Sequence, residues 1–194
     1  MNEKYTIADL AGHANESTVW KLLKEVSEQA MKQRRFIINP FLIEIDEDGH
    51  FILMPSEVQQ TGFDAPETVK AERMEASAVW SLGATAFFAV MGVQVMNGKG
   101  GPGQTKTSRL PYMRSEWPEL SELIMQCLQF DPIKRNTLLS IYDKSLQQYE
   151  QCLNQIKRGP RFKHIEQLQS TEKLEKVLDF WPETMLSNMN KKKH

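Results

Sequence analysis

The amino-acid sequence predicts a mainly α-helical fold with one small β-hairpin. Three observations carry this prediction. Apolar residues recur at helical spacing in several segments, one long segment has no charged residue, and two short apolar runs flank a turn. The predicted helices cover residues 15–33, 75–90, 118–128, 137–156 and 170–181.

The first predicted helix, residues 15–33, starts with a good capping residue. The side-chain oxygen of Asn15 can accept a hydrogen bond from a backbone N–H that has no partner within the helix. The apolar residues that follow at helical spacing are Val19, Leu22, Leu23, Val26 and Ala30. We therefore expect this helix to pack through one face.

Two apolar runs, residues 41–45 and 51–54, are predicted to form the strands of the hairpin. They flank the sequence Asp-Glu-Asp-Gly at residues 46–49, where the glycine permits the positive φ that tight hairpin turns require. The polar residues 56–62 that follow are predicted to form a loop.

The central helix, residues 75–90, lies in a stretch of 21 residues, 76–96, that carries no charge. Such a stretch is long enough to span a bilayer. Polar residues such as Ser77, Ser81 and Thr85 dilute its hydrophobicity, however, and amphipathic helices surround it. We therefore interpret it as the buried centre of a globular domain and expect no membrane partner.

The glycine-rich residues 97–109 are predicted to form a flexible connector rather than a phosphate-binding loop. Gln104 and Thr105 follow Gly103, where the phosphate-binding motif requires lysine and then serine or threonine. The segment also follows a helix, whereas that motif follows a strand.

The C-terminal part of the chain is predicted to contain two further core helices and a tail. Asp131 and Pro132 separate helix 118–128 from helix 137–156, and Gly159-Pro160 ends the latter. We predict one helical domain over residues 5–158 and a tail over residues 159–194. The short tail helix carries its apolar stripe at Leu174, Val177, Leu178 and Trp181.

Composition and charge exclude several classes of function. With a net charge of −1, the chain lacks the excess of basic residues that is typical of nucleic-acid-binding proteins. The four histidines are scattered without metal-ligand spacing, so we expect no metal. Cys127 and Cys152 lie at apolar helix positions, and the first ten residues do not resemble a signal peptide, so a cytoplasmic location is expected.

Three motifs, in order along the chain, resemble those of the protein kinase superfamily. Residues 63–67 (FDAPE) look like the APE motif that closes a kinase activation segment. Residues 79–83 (VWSLG) look like the start of the buried helix that follows it. Residues 127–137 (CLQFDPIKRNT) look like the motif near the end of the C-terminal lobe. The resemblance covers residues 5–150, and it implies the fold of a kinase C-terminal lobe.

The resemblance also implies one structural ion pair. In kinases the glutamate of the APE motif pairs with the arginine of the later motif, and here those residues are Glu67 and Arg135. An arginine fork suits a carboxylate bidentately. We therefore expect the two residues to meet and to preserve the architecture of the lobe.

The positions that carry catalysis in kinases are replaced in this sequence. Residues 39–46 (NPFLIEID) resemble the stretch that runs from the catalytic-loop lysine into the hairpin. In this frame the base aspartate corresponds to Ile37, the metal-binding asparagine to Leu42 and the magnesium-binding aspartate to Pro55. The aspartate that usually opens the central helix corresponds to Ala78. We therefore expect no catalytic residues and no cofactor.

The sequence also lacks the signatures of the N-terminal ATP-binding lobe. No glycine-rich loop precedes a strand, there is no VAIK-type lysine, and residues 5–33 resemble the first two helices of the C-terminal lobe. We expect no such lobe and no ATP binding.

These observations favour a degenerate, pseudokinase-like protein that acts as a protein-binding or scaffold module. The alternative is half of a kinase-like phosphotransferase, completed by a partner that supplies the nucleotide lobe. A third interpretation is a degenerate fold retained for an unrelated purpose.

Overall fold

The computed structural model describes residues 5–34, 36–56, 62–67, 74–96 and 116–158. The four helices of this part are α1 (Glu16–Gln33), α2 (Met74–Met91), α3 (Pro118–Cys127) and α4 (Leu138–Arg158). Its three strands are β1 (Tyr5–Thr6), β2 (Ile43–Ile45) and β3 (Phe51–Leu53). Short 3₁₀ turns occupy Ile7–Leu10, Pro40–Leu42 and Pro132–Lys134. The prediction of a mainly helical fold is confirmed.

Helix α1 has a side-chain cap at its start and a left-handed residue at its end. The Asn15 side chain accepts a hydrogen bond from the Thr18 N–H at 2.8 Å, which satisfies a donor at the helix start. Arg34 follows the last helical residue with a φ of 51°, in the left-handed region. Between these ends, the face that carries Leu22, Leu23 and Val26 is fully buried.

The sheet has the strand order β1-β2-β3 and is antiparallel throughout. Ile43 pairs with Leu53 and Ile45 with Phe51, so the predicted hairpin has a register that buries these four apolar side chains. Gly49 in the turn has a φ of 77°, which favours glycine. The short strand β1, which the sequence pattern did not indicate, adds to the other edge of β2.

Helix α2 forms the centre of the core. Trp80, Leu82 and Phe87 are all fully buried. Trp80 and Phe87 are seven residues apart and lie on one face of the helix, whereas Leu82 lies on the opposite face, so α2 is buried on both sides. The helix is long and apolar enough to cross a membrane by length and composition alone, but 72% of its 18 residues are buried inside the protein. In this structure, α1 and α3 pack against it.

The segment that precedes α1 is docked on the C-terminal end of α2. The Gly12 N–H donates to the Phe88 carbonyl at 3.3 Å, and the Ala14 N–H donates to the Ala89 carbonyl at 3.2 Å. The Ala89 carbonyl lies in the last turn of α2, where carbonyl groups lack a partner within the helix. The Phe88 carbonyl accepts its bond in addition to one from the Gly92 N–H at 2.8 Å. Gly12 and Gly92 cross so closely that a Cβ on either would lie 3.3 Å from the Cα of the other. The N-terminal segment is therefore tied to the core.

Helices α3 and α4 complete the body around α1 and α2. Helix α3 approaches α2 closely, because a Cβ built on Gly83 would lie 2.5 Å from the Cβ of Cys127. Helix α4 packs along α1, with Lys24 Nζ 5.5 Å from the centre of the Tyr149 ring. The predicted connector at residues 97–109 and the predicted tail helix at residues 170–181 lie outside the described residues.

Candidate functional site

The structure brings Glu67 and Arg135 together, although 67 residues separate them along the chain. Arg135 Nη1 donates to Glu67 Oε1 at 2.6 Å, and Nη2 donates to Oε2 at 2.7 Å. The Arg135 side chain is 0% exposed and that of Glu67 is 11% exposed. This is a bidentate, charge-assisted pair, the strong form of the arginine–carboxylate interaction.

Arg135 also binds three carbonyl groups of two backbone segments through its remaining donors. Its Nε donates to the Gln129 carbonyl at 2.7 Å, Nη1 to the Ala76 carbonyl at 2.8 Å and Nη2 to the Phe130 carbonyl at 3.3 Å. The guanidinium carbon lies 5.1 Å from the centre of the Trp80 ring, within the range of a cation–π contact. The arginine therefore links residues 62–67, the start of α2 and the turn after α3.

The Glu67 carboxylate is stabilised in its charged form. Burial alone would raise the pKa of this carboxyl, but the hydrogen bonds from Arg135 and from the Glu67 backbone, the positive charge of Arg135 and the Ser77 hydroxyl together lower it below 4.5. Ser77 donates this hydroxyl to Glu67 Oε1 at 3.0 Å. Ser77 was not singled out from the sequence as part of the site, because a serine in an uncharged helix gives no signal of its partner.

Leu42 and Pro55, two of the four residues that the resemblance aligns with kinase catalytic positions, lie at the open end of the hairpin. The Leu42 carbonyl accepts a hydrogen bond from the Met54 N–H at 2.8 Å, which places Leu42 beside the residue before Pro55. Leu42 is half-buried and Pro55 is exposed. Phe41, next to Leu42, is 59% exposed, and its ring lies 6.4 Å from that of the buried Phe63.

The other two positions are also filled by hydrocarbon side chains. Ile37 is half-buried in the segment between α1 and the hairpin, and Ala78 is fully buried in α2. The side chains of isoleucine, leucine, proline and alanine offer no oxygen to a magnesium ion and no base to a hydroxyl proton.

The side chain of Asn39, which lies between Ile37 and Leu42 in the sequence, is used within the fold. Asn39 is 3% exposed, and its side-chain oxygen accepts a hydrogen bond from the Phe41 N–H at 3.0 Å. It therefore caps the 3₁₀ turn at Pro40–Leu42. Within the part of the chain that the structure describes, no group of three or more His, Cys, Asp or Glu residues is placed to hold a metal ion.

The two cysteines are not activated. Burial raises the pKa of the Cys127 thiol to about 12, and it also raises the pKa of Cys152. Because the thiolate is the nucleophilic form, neither side chain has the character of a reactive cysteine at neutral pH.

No known family model matches this chain, and no curated protein matches it. The resemblance to protein kinases therefore rests on the three sequence motifs.

Proposed function

We propose that the protein is a non-catalytic, pseudokinase-like module with the architecture of a kinase C-terminal lobe, and that it binds another protein in the cytoplasm. One observation carries the proposal. The ion pair expected of that architecture is formed and buried, while hydrocarbon side chains occupy the four positions where a kinase carries its catalytic and metal-binding groups.

The chemistry of phosphoryl transfer supports the non-catalytic part of the proposal. Transfer requires metal ions that neutralise the phosphates and a carboxylate that orients the attacking hydroxyl. Pro55 and Leu42 replace the groups that hold the metal, and Ile37 replaces the carboxylate. Metal binding and orientation of the hydroxyl are separate requirements, and the replacements remove both, so a partner that supplied only a nucleotide lobe would not restore the reaction.

The buried core and the hydrogen bonds of Arg135 support the part of the proposal that concerns protein binding. Its core is well packed, and Arg135 makes five hydrogen bonds, to Glu67 and to three backbone carbonyls, that hold distant segments together. A rigid scaffold of this kind can present side chains to a partner without reorganisation, which favours affinity. The two loop regions that a partner would reach in a kinase-like lobe, residues 56–62 and 98–117, lie largely outside the described residues.

Thermal unfolding of the full chain with and without Mg²⁺-ATP tests the proposal. We expect no change in melting temperature, because the positions that would hold the metal and the phosphates carry no ligand groups. A ligand at 100 times its dissociation constant would stabilise the folded state by about 2.7 kcal/mol, which this method resolves easily.

An active kinase domain measured in the same buffers serves as the positive control. A nucleotide-dependent rise in the melting temperature of the isolated chain would contradict the proposal. A rise that appeared only with a partner protein would favour the half-enzyme alternative.

A further inference from the structure

Strand β3 lies at one edge of the three-stranded sheet. The N–H and C=O groups of its successive residues point alternately toward β2 and away from it. The His50 carbonyl and the Met54 N–H bond to the chain on the β2 side. In an antiparallel pair the hydrogen-bonding direction alternates along the strand, so the backbone groups of Phe51 and Leu53 point away from β2. These outward groups would be free to pair with another strand unless something covered them.

Two polar side chains of α1 cover this edge. Glu25 Oε2 accepts a hydrogen bond from the Phe51 N–H at 2.9 Å. Gln29 Nε2 donates to the Phe51 carbonyl at 2.6 Å, and Gln29 Oε1 accepts from the Leu53 N–H at 3.0 Å. The alternation of acceptor, donor and acceptor is the one that the backbone of a neighbouring strand would present.

The spacing of the two side chains explains the match. Glu25 and Gln29 are four residues apart, which corresponds to about 6.0 Å along α1. Phe51 and Leu53 are two strand residues apart, about 6.8 Å. The difference is small enough for flexible side chains to absorb, so a helix is able to take the place of a strand.

We propose that Glu25 and Gln29 act as a surrogate fourth strand, which guards the outer edge of β3 against pairing with a second copy of this chain. Residues 51–54 (FILM) are uncharged and apolar, the composition that makes an open edge prone to intermolecular pairing. The turn of the hairpin is fastened to the same helix. His50 Nδ1 lies 2.9 Å from Glu25 Oε1, and Lys21 Nζ donates to the Gly49 carbonyl at 2.9 Å.

This inference stands apart from the proposed function but limits how a partner can bind. While α1 is in place, an extended peptide cannot add to the sheet at β3. A partner would therefore recognise side chains on the surface rather than the backbone of this edge.

The test compares the wild-type chain with the double variant Glu25→Ala, Gln29→Ala. We expect the amide hydrogens of Phe51 and Leu53 to exchange at least tenfold faster relative to that of Met54, which keeps its bond to the Leu42 carbonyl. We also expect the variant to self-associate with rising concentration in sedimentation velocity, whereas the wild type does not.

Two outcomes would overturn the proposal. Unchanged exchange at Phe51 and Leu53 would show that the side chains do not hold the edge. Faster exchange in a variant that stays monomeric at every concentration would show that the uncovered edge of β3 does not cause self-association.

If the double variant loses its helical circular dichroism signal, the single substitution Gln29→Ala tests the proposal instead. In Gln29→Ala, Glu25 still accepts from the Phe51 N–H, so exchange at Leu53 should accelerate more than exchange at Phe51. Equal acceleration at the two amides would contradict the assignment. Glu25→Gln keeps an acceptor at the first position and should retain most of the protection of Phe51.

Discussion

Replacing Arg135 with alanine is expected to destabilise the protein by about 3–5 kcal/mol, the usual effect of removing one partner of a buried ion pair. The substitution leaves the Glu67 carboxylate without its counter-charge and removes the donors to the carbonyls of Gln129, Ala76 and Phe130. It also removes the packing against Trp80. Urea unfolding followed by circular dichroism measures the change.

The neighbouring Lys134 provides a matched control. It is exposed, so Lys134→Ala is expected to change the free energy of unfolding by less than about 0.5 kcal/mol. Arg135→Lys keeps the positive charge but loses the forked guanidinium group. Its free energy of unfolding should therefore lie between those of the wild type and Arg135→Ala. A loss of less than about 1 kcal/mol for Arg135→Ala would contradict the structural role of the pair, because that is the range of an exposed salt bridge.

The same pair makes stability depend on pH in a defined direction. The pKa of Glu67 is lowered in the folded state, so its contribution is fully present above the ordinary pKa of 4.5 and is lost as the pH falls through the folded value. In Arg135→Ala this part of the acid dependence should disappear. The comparison separates an electrostatic role of the pair from simple loss of packing.

Gly83→Ala is expected to destabilise the protein by about 1–3 kcal/mol, the usual effect of forcing an extra group into a packed core. Alanine is ordinarily favoured over glycine within a helix by about 1 kcal/mol. Here the sign reverses, because the added Cβ would lie 2.5 Å from the Cβ of Cys127, and the two helices would have to separate. Urea unfolding again gives the magnitude.

A double-mutant cycle with Cys127→Gly isolates the steric cause. Removing the Cβ of Cys127 should itself destabilise the protein, but it makes room for the methyl group at position 83. We therefore expect Gly83→Ala to be less destabilising in the Cys127→Gly background. Strict additivity of the two substitutions would show that α2 and α3 are not limited by this contact.

The helices could be predicted from the sequence because their signals are local. Asn15 is followed by an apolar stripe, and the cap and helix α1 lie where that pattern placed them. The hairpin was visible because two apolar runs flank Gly49. Strand β1 could not be predicted, since Tyr5 and Thr6 become a strand only through pairing with a segment nearly 40 residues away.

The contacts around Glu67 and Arg135 could be predicted only in part from the sequence. Glu67 and Arg135 could be linked through the resemblance to kinases, but Ser77 and Trp80 carried no sign that they complete the pair. Polar residues one turn apart, such as Glu25 and Gln29, are ordinary on a solvent-facing helix surface. Only the three-dimensional position of β3 reveals that their side chains replace a strand.

Paramagnetic broadening by Mn²⁺-ATP, followed in amide NMR spectra of the full chain, tests the central claim most directly. Mn²⁺ without nucleotide is the control, because the acidic turn at residues 46–48 could attract the free ion. If Leu42 and Pro55 hold neither metal nor phosphate, adding ATP will not broaden the amide signals of Leu42, Met54 or Ser56. Selective, ATP-dependent broadening at those three amides would contradict the account.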